Sequence, residues 1–197
     1  MNYPPFFDNI EPIRLQDKLS AMLGSVDDGL VEFTYLDIVK TAGHSCPTVA
    51  GAYLSTLVGL KALYPDELPV RGEIFVSFKA TAAEGVAGVI GNVVSQITGA
   101  TATSGFKGIG GKFARHDLME FEADIPGSVR FKRLDTGDVV DVAYDPSGVP
   151  GNPRQQEIMQ RIMQGAATAE EKAAFRSMWQ QRVESIFGDI DGVIRVS

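Results

Sequence analysis

The stretch from Thr48 to Leu63 would be apolar on every side of a helix. Val49, Ala50, Ala52, Leu54, Leu57, Val58, Leu60 and Leu63 leave no continuous polar face, and such a helix has to be buried all round. It is not a membrane span, because it falls short of the roughly 20 apolar residues a span needs. It also carries Lys61 and is closed by Pro65. The rest of the chain must therefore wrap round this helix. Proline is favoured at the first helical position, so Pro47 makes Cys46 the N-cap.

The flanking sequence predicts what does the wrapping. Asn2 to Ile13 is Pro-rich and reads as an extended arm. Leu15, Leu19, Met22 and Leu23 repeat at helical spacing before Gly24. Gly29 to Phe33 reads as a short strand, and Thr34 caps a helix through Thr41 that Gly43 ends. GEIFVSFKA at 72–80 is a strand. Glu84 to Ile97 is a second apolar helix with Gly85, Gly88 and Gly91 in a stripe, and a glycine-rich loop runs from Gly99 to Gly111. Lys112 to Arg115, Leu118 to Ala123, Val129 to Leu134 and Val139 to Tyr144 read as strands, the last two joined by a turn at Asp135–Asp138. Pro146 to Pro153 is a linker. Helices follow over Gln155 to Gln164 and from Thr168, with Glu171 completing a capping box, and Gly192 to Val196 is a last strand. The expected fold is α+β with an antiparallel or mixed sheet, built as a domain over residues 1–150 and a helical C-terminal extension, 151–197, packed on it.

With 197 residues and 44% hydrophobic side chains, the chain can bury a full core without metal staples, so a metal here would serve function more than folding. The 18 basic and 25 acidic residues give a formal net charge of −7. The basic residues form no run, which argues against nucleic acid as a partner. The single cysteine excludes an intramolecular disulfide. With MNYPPFFDNI at the start, which is no signal peptide, this points to the reducing cytoplasm.

The chemistry concentrates in GHSCP at 43–47. A helix N-terminus lowers a thiol pKa through its free N–H groups and positive dipole end. His44 stands two residues from Cys46, and a thiolate beside an imidazole suits zinc, with nickel, iron or copper as alternatives. A buried structural cysteine beside a satisfied histidine is the competing reading. His44 and Cys46 are only two ligands, which leaves His116, Glu84, water or a second protomer to complete a site.

GATATSGFKGIGGK at 99–112 is not a phosphate loop of the familiar kind. Phe106 stands where the first glycine belongs, and Phe113 where Ser or Thr should follow the lysine. Lys107 and Lys112 are nonetheless local positive charges that can face a small anionic ligand. Glu84 gains from the helix dipole at its expected first turn, and reads either as a simple dipole partner or as a ligand or base.

GHSCPTVAGAYLSTLVGLKAL at 43–63, GEIFVSFKA at 72–80, QITG at 96–99 and GGKFA at 110–114 together resemble, in type and order, the FmdE family, which takes its name from a component of formylmethanofuran dehydrogenase. The resemblance spans about residues 35–145. It implies an α-β-α-β-β-β core with a mixed sheet, like the catalytic domain of glyceraldehyde phosphate dehydrogenases. It also implies a metal, zinc first, on His44 and Cys46, and a homodimer. The chain departs from the family at several positions. The usual second cysteine and the Asp after it fall near Val89 and Asn92, the Gly after Cys-Pro is Thr48, and an Arg is Leu54.

Three functions are expected. The first is a metal-binding FmdE-like subunit or accessory factor in redox or one-carbon metabolism, its metal acting as Lewis acid or water activator if the protein is catalytic. The second is a thiol enzyme with Cys46 as nucleophile, activated by His44. The third is a non-catalytic dimer that binds a small molecule or serves as a scaffold.

Overall fold

The computed structural model describes residues 2–197, and the apolar segment lies at its centre as a long helix. The elements are β1 (Ile13–Gln16), α1 (Lys18–Met22), β2 (Leu30–Phe33), α2 (Tyr35–Ala42), α3 (Pro47–Leu63), β3 (Ile74–Phe78), α4 (Ala87–Thr98), β4 (Met119–Glu120), β5 (Val129–Arg133), β6 (Val139–Tyr144), α5 (Arg154–Met163), α6 (Ala169–Gly188), α7 (Ile190–Val193) and β7 (Ile194–Val196). The fold is α+β. A mixed sheet of order β4-β3-β5-β6-β7 has one parallel pair, β3 with β4, and a separate antiparallel pair joins β1 to β2.

Two glycines let α3 lie close to the sheet. A Cβ on Gly59 would stand 2.7 Å from the ring of Phe131 in β5, and a Cβ on Gly51 would run into the ring of Tyr144 in β6. From the other sides α3 meets α4, α6 and α2. The Tyr53 hydroxyl, at 2.8 and 2.9 Å from the carbonyls of Glu11 and Phe33, ties the helix to the N-terminal segment. The C-terminal residues complete this core. Val183 and Ile186 of α6 are fully buried, and β7 pairs antiparallel with β6.

Helix caps follow the sequence closely. Thr34 and Asp37 form a capping box on α2, Gly43 ends it with φ 78°, Cys46 caps α3, and Thr168 with Glu171 caps α6.

Elsewhere the structure corrects the reading. The run Leu15 to Leu23 is not one helix. Leu15 is fully buried in β1, while Met22 and Leu23 are exposed, so the spacing marks no common face. The break falls at Asp17, whose carboxylate takes the amides of Leu19 and Ser20 at 3.0 Å and starts α1 there. The N-terminal arm contains a 3-10 turn, Pro5–Asn9, that buries Phe7. Lys112 to Arg115 forms no strand, because the Arg115 backbone is spent on Thr101 and Phe106. Leu118 to Ala123 contributes only Met119–Glu120. Glu84 lies before α4, in a turn closed by its own amide on the Thr81 carbonyl. It therefore gains nothing from a place in the first helical turn. Of the glycine stripe, Gly91 approaches Phe121, while Gly85, with φ 52°, faces open space.

Candidate functional site

The αL turn at Gly43 sets the geometry of the GHSCP segment. It leaves His44 exposed and turns Ser45 and Cys46 into the core. Ser45 is gripped from both sides. Its hydroxyl meets Tyr35 Oη and Gln180 Oε1 at 3.0 Å, and its carbonyl accepts from Trp179 Nε1 at 2.9 Å. Burial pushes the Tyr35 phenol well above its ordinary range. Cys46 is 8% exposed and lies within the hydrophobic core, its Sγ accepting the Val49 amide at 3.4 Å. Beside it the Tyr144 hydroxyl donates to the Pro47 carbonyl at 2.8 Å, and burial pushes that phenol up to about 12.

The His44 ring has one nitrogen fixed. Nδ1 is 3.0 Å from the Ala42 carbonyl. A carbonyl only accepts, so Nδ1 carries a proton, and in the neutral ring the lone pair is on Nε2.

His44 stands at the edge of a cleft of about 630 Å³. One wall is the α4 face carrying Val89, Asn92, Val93 and Gln96, at i, i+3, i+4 and i+7. The lining also includes Thr101 and Phe106 from the glycine-rich loop, together with Arg71 and Arg115. Val89 and Asn92, near which the family pattern would place a cysteine and an aspartate, therefore share the cleft with His44.

The two arginines converge on one carboxylate. Asp17 accepts from Arg71 Nη1 at 2.9 Å and from Arg115 Nη2 at 2.8 Å. Burial raises the Asp17 pKa, but the Ser20 amide and the two guanidinium groups more than offset it, and the carboxyl sits below its ordinary value. Arg71 also donates from Nε to the Ile97 carbonyl and from Nη2 to the Gln96 carbonyl. Arg115 Nη1 is buried and has no partner among the described residues.

The other expected site residues lie apart from this cleft. Lys107 is exposed and donates to the Thr103 carbonyl at 3.2 Å, and Lys112 is exposed on the same loop. Neither lines the cleft; Arg71 and Arg115 supply its positive charge instead. His116 pairs with Asp117 through Nδ1 and also stands outside the lining. Glu84 belongs to a second, mostly apolar cavity of about 530 Å³, which it shares with Ser55, Ile90 and Tyr144.

Sequence reasoning missed Asp17, Arg71 and Arg115. The arginines stand 54 and 98 residues from Asp17 in the chain, and no local spacing links them. The usable signals were Gly72 and Gly99, whose positive φ angles accompany a close approach of the Arg115 guanidinium.

Among the described residues, no three His, Cys, Asp or Glu side chains group as metal ligands. An exposed His44 and a core-facing Cys46 do not by themselves make a zinc set, which normally needs three or four protein ligands. Among the same residues, no helix is long and apolar enough to cross a membrane. No protein-family model and no curated protein matches the chain.

Proposed function

We propose that this chain is an FmdE-like protein that binds a small molecule in the His44 cleft. The helix–strand–helix–strand–strand–strand order from α3 to β6, around a mixed sheet, supports the family resemblance and a core like the glyceraldehyde phosphate dehydrogenase catalytic domain. One observation carries the binding reading. Four separated segments bring His44, Asn92, Gln96, Thr101 and two arginines to one concavity of ligand size. On this reading the protein is a subunit or accessory factor in redox or one-carbon metabolism, working as a cytoplasmic homodimer. A fragment screen by amide and imidazole NMR tests the site. Hits should move the resonances of His44 and Asn92, and Asn92→Ala should weaken them. Hits confined to the Glu84 cavity would refute the assignment.

A second reading, a transition metal on His44 and Cys46, rests on the ring geometry. Ligating histidines commonly donate their other ring N–H to a carbonyl, as His44 does to Ala42. Zinc is the first expectation, with nickel or iron next. Protein loaded with zinc and dialysed should retain one equivalent by atomic emission, and Cys46→Ala should lose it. A wild type that keeps no metal removes this reading and leaves the first intact.

A further inference from the structure

We infer that the His44 cleft is selective for a carboxylate-bearing small molecule, held by the charge of Arg115. This rests on the reading of the cleft as the working site.

The charge balance is uneven. Arg71 and Arg115 share a single carboxylate, that of Asp17, and the nearby Lys18 and Glu73 pair with each other at 2.8 Å. Two guanidinium groups against one carboxylate leave one positive charge uncompensated. None of the side chains lining the cleft is acidic, although the chain as a whole is at −7. One carboxylate shared between two guanidinium groups only half-compensates their charge, and an incoming anion would complete the compensation.

The donor inventory agrees. Arg115 is 7% exposed and its Nη1 has no hydrogen-bond partner among the described residues. Buried guanidinium N–H groups rarely go unpaired, and one that does calls for a reason. The backbone on either side is shaped round this group. A Cβ on Gly72 would overlap Nη1, and one on Gly99 would come within 3.1 Å of it. The arginine itself is held by its main chain, with its amide on the Phe106 carbonyl at 2.8 Å and its carbonyl taking the Thr101 amide at 2.9 Å.

One residual charge matches a monoanion better than a phosphate dianion, and a carboxylate oxygen is a suitable acceptor for the unpartnered Nη1. Val89, Val93 and Phe106 form the apolar part of the cleft, so the carboxylate is carried on an aliphatic or aromatic body.

The test uses the full-length protein with benzoate, its neutral isostere benzamide and inorganic phosphate as probes, at constant ionic strength, followed by NMR of the His44 ring and arginine Nε–H signals. Benzoate is expected to bind at least about tenfold more tightly than benzamide, as one charged hydrogen bond provides, and to move the Arg115 signal. Arg115→Met, which leaves Asp17 paired with Arg71, should erase the preference, and Arg115→Lys should keep part of it. Equal binding of benzoate and benzamide in the cleft overturns carboxylate selectivity while the cleft remains the site. Tighter binding of phosphate overturns the monoanion assignment. If none of the three probes perturbs the cleft of the folded wild type, this inference fails; the site assignment is then judged separately by the fragment screen.

Discussion

Arg115 and Asp17 meet across 98 residues of sequence, guanidinium Nη2 to carboxylate Oδ1 at 2.8 Å, with both side chains nearly excluded from solvent. Asp17 also caps α1 through Leu19 and Ser20 and pairs with Arg71. One carboxylate thus fixes the start of a helix, the segment before β3 and the end of the glycine-rich loop. Removing it should cost more than removing either arginine. Asp17→Asn leaves two largely buried guanidinium groups without a counter-charge and is expected to lower unfolding free energy by about 3–5 kcal/mol. Arg115→Met leaves a neutral Asp17–Arg71 pair and should cost distinctly less. Urea unfolding of both variants measures the order, and the reverse order would refute it.

The same carboxyl sets a pH dependence. Its pKa is lowered in the folded chain, so the unfolded state binds more protons as pH falls through the ordinary Asp value of about 3.9. The stability it supplies is full above about pH 4 and is lost as pH drops toward the lower folded value. Thermal unfolding of wild type and Asp17→Asn should therefore show a gap that is constant near neutrality and narrows below about pH 4. A gap that widened on acidification would contradict the assignment.

The close approach of α3 to the sheet predicts an unusual penalty for alanine. In a helix interior Gly→Ala normally gains up to about 1 kcal/mol. At Gly59 the new methyl would lie 2.7 Å from the ring of Phe131, which is fully buried and has nowhere to go. Gly59→Ala should therefore lower stability, by about 1–3 kcal/mol, as overpacking does. A denaturation midpoint raised by the substitution would show that the helix and sheet can part.

Cys46 decides between two chemistries. It is buried in the core, and its sulfur accepts the Val49 amide. Iodoacetamide is expected to label it slowly in the folded protein and quickly in denaturant, with intact mass as the readout. Fast native labelling would favour the nucleophile reading and weaken the burial argument.

What the sequence disclosed were the features encoded within a few residues. The cap at Cys46-Pro47, the cap at Thr34, the capping box at Thr168, the all-round apolar α3 and the turn at Asp135–Asp138 are local, and each carries its own chemical signature. What stayed hidden depended on distance. Leu15 shares its spacing with Leu19, yet pairing with β2 makes it a strand. The end of the glycine-rich loop lacks a strand because Arg115 bonds to Thr101 and Phe106 instead. Within the cleft, His44 was legible from GHSCP, but the positive charge beside it was not. Lys107 and Lys112 drew attention because they sit in a glycine-rich run, whereas Arg71 and Arg115 become partners only when Asp17 folds between them.

The C-terminal residues give the last prediction. Val183 and Ile186 are fully buried, and Ile194 is 6% exposed. Each such side chain contributes about 1.5–3 kcal/mol on burial, while a domain's net stability is about 5–15 kcal/mol. Removing residues 151–197 takes all three, strips β7 from β6, and deletes the Trp179 indole that holds the Ser45 carbonyl. The shortened chain should therefore lose cooperative thermal unfolding by circular dichroism. Trp179→Phe in the full chain should keep the fold and lose only that hydrogen bond, worth about 0.5–1.5 kcal/mol. A truncated chain that still melted sharply would mean that the sheet through β6 and α3 form a self-sufficient core, and that the helices after residue 150 serve some purpose other than closing it.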